Sequence, residues 1–91
     1  MKKEHIYKRV YYHAIRRAIL ENETLMQKFM DNTAVNYDEL RLEQLDTILV
    51  AIPDNDLFDL LLGHKSPTHF KGEYDEEILT DIVKGTRDIK Q

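Results

Sequence analysis

The apolar positions of this chain repeat with a helical period almost throughout. Across residues 4–21, Tyr7, Tyr11, Ala14, Ile15, Ala18 and Ile19 share one broad face of a helical wheel, flanked by Lys8 and Tyr12. Ile6, Val10, His13, Arg17 and Glu21 fall on the opposite and adjoining side. The spacing predicts an amphipathic helix whose second side is mixed rather than wholly polar. Asn22 is placed to cap a short second helix over residues 23–32, which carries Leu25, Met26, Phe29 and Met30. Asn32, Thr33 and Asn36 then supply turn chemistry. Asn36 or Asp38 caps a third helix with Leu42, Leu45, Leu49 and Ile52 as its stripe, widened by Leu40 and Ile48.

Pro53 interrupts that helix, because proline lacks an N–H and disfavours helical geometry in the residue before it. Asp54, Asn55 and Asp56 offer N-cap groups for a fourth helix that ends at Gly63. Leu57, Phe58, Leu60, Leu61 and Leu62 leave it almost wholly apolar. Residues 64–72 form the longest loop, with Pro67 and Gly72 as breakers. The acidic run from Glu73 to Glu77 suits the N-terminus of a fifth helix, where the dipole favours negative charge. Ile78, Leu79, Ile82 and Val83 continue it to about Gly85.

The pattern therefore predicts an all-α fold, a single five-helix bundle of short helices over residues 1–91. The folded core is expected over about residues 4–85, with 86–91 frayed. Ile15, Ile19, Leu25, Phe29, Leu45, Leu49, Leu57, Phe58, Leu61, Ile78 and Ile82 are the expected core side chains.

At 91 residues one core is feasible, with little room for a large cleft beside it. Thirteen Lys and Arg against 17 Asp and Glu give a net charge of −4, which argues against general nucleic-acid binding. The charge is uneven. Residues 1–21 hold six Lys and Arg against two Glu, so the other 70 residues carry a net −8. A basic first helix on an acidic body should steer toward an acidic partner. There is no cysteine, hence no disulfide or thiolate chemistry. No apolar run approaches the roughly 18 residues of a membrane span, and a cytoplasmic monomer is expected.

Candidate chemistry is sparse. His5 and His13 are two turns apart on one helix, and His64 and His69 bracket Pro67 in a loop. Neither pair supplies the three or four close ligands of a zinc site. Ser66 stands beside histidines in sequence, without an orienting acid or an oxyanion hole. The glycines lack phosphate-cradling spacing. No metal site, no catalytic residue and no autonomous cofactor are expected, and the chain does not read as an enzyme.

The cluster around Arg17 differs. Arg17 and Glu21 are i and i+4, so their side chains share a face expected to point outward. Ala14 and Ala18 repeat at the same spacing nearby. Such small residues let either a partner or another helix of the same bundle approach closely. Arg16 and Arg17 carry forked donors suited to carboxylates or a phosphate.

The run from Arg16 to Glu23 resembles the arginine–glycine–x–x–glutamate signature of the succinate dehydrogenase flavinylation factors, a family of small five-helix proteins. Glu23 stands at the family's acidic position two residues after the signature. Phe29, Tyr37 or Leu40, Glu43, and Asp54-Asn55-Asp56-Leu57-Phe58 follow in the family's order, so the resemblance covers about residues 5–65. Ala18 departs from the pattern, replacing the signature glycine. The resemblance implies an assembly chaperone that binds the flavoprotein subunit of succinate dehydrogenase or fumarate reductase. It would promote covalent attachment of that subunit's FAD to a histidine. The implied partner-binding residues are Arg16, Arg17, Ala18, Glu21 and Glu23. Without the resemblance, the same polarised surface would suit a regulatory or antitoxin-like helical module with no flavin role.

Overall fold

Ile6, Val10 and Ala14 recur every four residues, and this stripe, rather than the tyrosine-rich face, turns the first helix into the core. The computed structural model describes residues 2–17 and 23–87. Five α-helices run as α1 (Lys2–Arg17), α2 (Glu23–Asn32), α3 (Glu39–Ala51), α4 (Asp54–Leu62) and α5 (Glu76–Arg87). Short 3₁₀ turns at Ala34–Asn36 and Pro67–Phe70 complete the described elements, none of which is a strand. The protein is all-α, as its periodicity predicts. The predicted extension of the first helix to residue 21, the core position Ile19 and residues 88–91 lie outside the described residues.

Local chemistry sets the boundaries. The Asp38 carboxylate accepts from the Arg41 N–H at 2.8 Å and opens α3. At the other end Ile52 and Pro53 are both extended, a two-residue elbow between α3 and α4. α4 ends where Gly63 takes φ 84°, which lets the His64 N–H reach back to the Asp59 carbonyl at 2.8 Å. α5 begins three residues later than the acidic run suggests, because the Asp75 carboxylate accepts from the Ile78 N–H at 3.1 Å and acts as its cap.

α1 packs against α3 and α2, α2 against α5, and α5 against α4. Burying Ile6 and Val10 in this arrangement contributes roughly 1.5–3 kcal/mol for each side chain. Phe29, Leu45, Leu49, Leu57, Leu61, Ile78 and Ile82 are buried as predicted. Ile15, Leu25 and Phe58 are only partly buried. The rotation of α1 explains Ile15: with Val10 and Ala14 inward, it stands at the margin, as do Tyr7 and Tyr11. The expected loop over 64–72 holds the Pro67–Phe70 turn, which drives Phe70 into the core next to Tyr74.

α2 and α5 approach closely at Gly85. A Cβ at Gly85 would lie 2.9 Å from Phe29 Cδ1 and 3.4 Å from the Phe29 Cα. Phe29 is completely buried and its ring has little space to yield. Gly85→Ala gains about 1 kcal/mol of helix propensity but forces an overpacking cost of about 1–3 kcal/mol. The variant is expected to lose on the order of 1 kcal/mol net, read as a lower urea midpoint at unchanged m-value.

Tyr7 ties α1 to α2, its hydroxyl donating to the Met30 carbonyl at 2.9 Å. Burial, followed by the charge of Asp31, pushes its phenol up to about 12. A raised folded value means that the neutral phenol is favoured in the fold. That stability is complete below the unfolded value of about 10 and is lost as pH rises toward the folded one. The unfolding midpoint should hold steady from neutrality to about pH 10 and fall above it. Tyr7→Phe should lower neutral stability by about 1 kcal/mol and make that alkaline fall shallower.

Candidate functional site: a basic groove between α1 and α3

Arg9, His13 and Arg17 also recur every four residues, forming a polar edge beside the buried stripe of α1. Each reaches across to the neighbouring helix or its end. Arg9 pairs with Glu43 at 2.5 Å and with Asp46 at 3.2 Å. His13 Nδ1 lies 2.6 Å from Asp46 Oδ1. The Arg17 Nη2 donates to the Ile52 carbonyl and stands 3.1 Å from the Asp54 carboxylate. Asp46, with its side chain only 13% exposed, is the shared acceptor of the first two. The edge therefore closes α1 onto α3 along its length and onto the elbow at its end.

This geometry corrects the outward orientation expected of Arg17. Its side chain is 29% exposed and is held by its own chain. Its buried Nε has no hydrogen-bond partner among the described residues. Ala14 is completely buried within the bundle, so its small size serves internal packing. Ala18 and Glu21 lie outside the described residues. Glu23 stands half-buried in the first turn of α2.

Arg16 behaves differently from its neighbour. It is exposed, its Nη1 donates to the Tyr12 hydroxyl at 3.1 Å, and its guanidinium lies 5.5 Å from the Tyr12 ring centre. It makes no ion pair with any described residue. Tyr12 is 57% exposed and Val50, facing it from α3, is 62% exposed. Tyr12, His13, Arg16, Arg17, Leu49 and Val50 line a shallow groove of about 330 Å³. It combines a cation, an aromatic ring and an aliphatic wall, the residue types that dominate protein interfaces.

Tyr12 and Val50 were not anticipated as site residues. Tyr12 sits one turn before Arg16, a spacing visible in the sequence. Val50 carried no such signal, because α3 has apolar residues on several sides and only packing shows which of them are left uncovered.

The Asp54–Phe58 segment closes on its own chain. Asp54 meets Arg17, Asp56 accepts from Lys65 Nζ at 2.8 Å, Leu57 is buried and Phe58 is half-buried. The hydrogen bond to Asp56 raises the Lys65 ammonium above its usual range. Another network joins Tyr37, whose hydroxyl donates to Asp81 at 2.7 Å, with Arg41, which pairs with Glu77 at 3.2 Å. Burial, reinforced by the Asp81 bond, pushes the Tyr37 phenol well above its usual range. Among the described residues no group of three or more His, Asp and Glu side chains converges on a metal site. No described helix is long and apolar enough to cross a membrane.

A sequence model of the family described as the flavinator of succinate dehydrogenase matches residues 8–84. The chain belongs to that family. Over 52 residues it is 38% identical to the FAD assembly factor SdhE of Ralstonia nicotianae (strain ATCC BAA-1114 / GMI1000). That stretch is 57% of this chain and 54% of the relative, so the match spans about half the relative's length. No solved structure matches the chain. The flavinator match takes in both sides of the groove, from Lys8 on α1 through all of α3.

Because Asp46 serves two donors, its neutralisation should loosen the seam that shapes the groove. Asp46→Asn is expected to cost about 1–2 kcal/mol, between an exposed pair and a fully buried one. Denaturant unfolding measures this. An equal change in an Arg9→Ala background would show that Arg9 contributes none of it.

Proposed function

We propose that this flavinator-family protein is an assembly factor that binds the flavoprotein subunit of succinate dehydrogenase, or of the related fumarate reductase. It promotes covalent attachment of that subunit's FAD. The family match across residues 8–84 carries this reading, and the uncovered groove between α1 and α3 supports it. The FAD is assigned to the partner. The bond-forming chemistry belongs to the flavin and the partner's histidine, and this chain supplies binding and orientation. It is not assigned catalysis of its own. A factor that meets the flavoprotein before the complex is assembled would act in the bacterial cytoplasm, as a monomer.

The docking face in this proposal comprises Arg16, Arg17, Ala18, Glu21 and Glu23, joined by Tyr12 and Val50. Arg16 and Tyr12 resemble an interface hot spot, with a rigid ring beneath a delocalised cation. The net positive charge of residues 1–21 would steer α1 toward an acidic surface of the partner.

The test mixes the purified chain with a bacterial succinate dehydrogenase flavoprotein subunit and FAD, and reads covalent flavin by fluorescence in denaturing gels. Val50→Glu and Tyr12→Ala should each weaken binding by about tenfold or more and slow flavin attachment. Their own stability should change by no more than about 0.5 kcal/mol, since both side chains are exposed. Unchanged flavin attachment by wild-type protein, relative to none added, would refute the function. Full activity of both variants would refute the face.

A further inference from the structure

Two adjacent arginines lie at the end of α1, yet the fold uses them differently. We infer that Arg17 is a positioning residue that holds the α3–α4 elbow, while Arg16 is the cation that takes a partner carboxylate. This rests on the docking face proposed above and divides its labour.

The argument begins at the elbow. Ile52 and Pro53 are extended, so neither continues α3. The last α3 bond there runs from the Ile52 N–H to the Ile48 carbonyl at 2.9 Å. The first α4 bond runs from the Leu57 N–H to the Pro53 carbonyl at 3.0 Å. Between them the Ile52 carbonyl accepts from Arg17, and Asp54, in the first turn of α4, takes the same guanidinium nitrogen. A single side chain from α1 thus spans the residue that caps one helix and the first turn of the next. Val50 is two residues before the elbow and Leu49 three, so their wall of the groove is set by where the elbow stands. The Arg17 nitrogen that faces the chain is committed twice over. Truncating such a charge-assisted contact frees the backbone it ordered.

Arg16 has the opposite character. Its guanidinium is exposed, 5.5 Å from the Tyr12 ring centre, and hydrogen-bonded to the Tyr12 hydroxyl. A forked guanidinium steadied by an aromatic ring and its hydroxyl is pre-organised for a carboxylate, and Val50 across the groove suits an aliphatic neighbour on the same partner segment. The fitting partner surface is therefore an Asp or Glu flanked by an apolar side chain.

The experiment uses the full chain in two arms. In the first, amide hydrogen exchange of the free protein is compared for wild type, Arg17→Ala, Arg17→Lys and Arg16→Ala. Protection at Ile52 and Leu57 should fall about tenfold in Arg17→Ala. It should fall less in Arg17→Lys, which keeps the charge without the fork, and not at all in Arg16→Ala. Unchanged protection at both amides in Arg17→Ala overturns the positioning role.

In the second arm, binding to a succinate dehydrogenase flavoprotein subunit is followed against salt. Arg16→Ala should slow association and flatten its salt dependence, as loss of a partner-facing charge does. Arg17→Ala should raise the dissociation rate about tenfold with the wild-type salt slope. Trimethylamine N-oxide, which strengthens folded structure, should recover that loss but leave Arg16→Ala unrescued. A salt slope flattened by Arg17→Ala and left intact by Arg16→Ala would reverse the assignment. Failure of the wild-type chain to bind the subunit would defeat the proposed function, while the exchange arm would still decide whether Arg17 holds the elbow.

Discussion

The structure depends on one seam, where α1 lies along α3. Its dry part is the stripe Ile6, Val10 and Ala14, which is apolar and completely or almost completely buried. Its wet part is the parallel row Arg9, His13 and Arg17, each of which reaches an acceptor on α3 or the elbow. The two rows have the same four-residue repeat, so burying one fixes the reach of the other. Exposed pairs such as Arg9–Glu43 add little stability alone. Asp46 is different because it is largely enclosed and shared, so the register between the helices cannot slip without stranding a carboxylate.

That seam also creates the groove. Once Arg9, His13 and Arg17 are turned toward α3, the next side chains round the helix, on the same side but farther from the core, are left uncovered. Tyr12 and Arg16 are left in solvent opposite Val50. A docking surface of this kind is a by-product of how the core is closed, and it sits on two helices rather than on a loop. Its parts are therefore held in place before any partner arrives, which limits the ordering cost of association.

Much of this was legible in advance. The five helices, the break at Pro53 and the stop at Gly63 follow from periodicity and from residues with restricted or unusual backbone preferences. The rotation of α1 was not legible. Tyr7, Tyr11 and Ile15 make a plausible apolar face, and it took the competition with α3 to show that Ile6 and Val10 win the interior. Arginine beside alanine could likewise be read as a patch for others. Only the position of the elbow reveals that Arg17 has an acceptor at home. Phe70 was hidden for a related reason: its neighbours Pro67 and Gly72 signal a loop, and nothing local says that the loop folds inward.

The crossing of α2 over α5 carries a consequence for how this fold can vary. With Gly85 seated against the ring and backbone of Phe29, the two positions behave as a single volume shared between distant parts of the chain. Bulk gained at one must be surrendered at the other, or the helices must separate along their whole contact. In homologous bundles of this shape, residue size at these two sites should be traded between them, a coupling set by the spacing of the helices rather than by any chemistry on the surface.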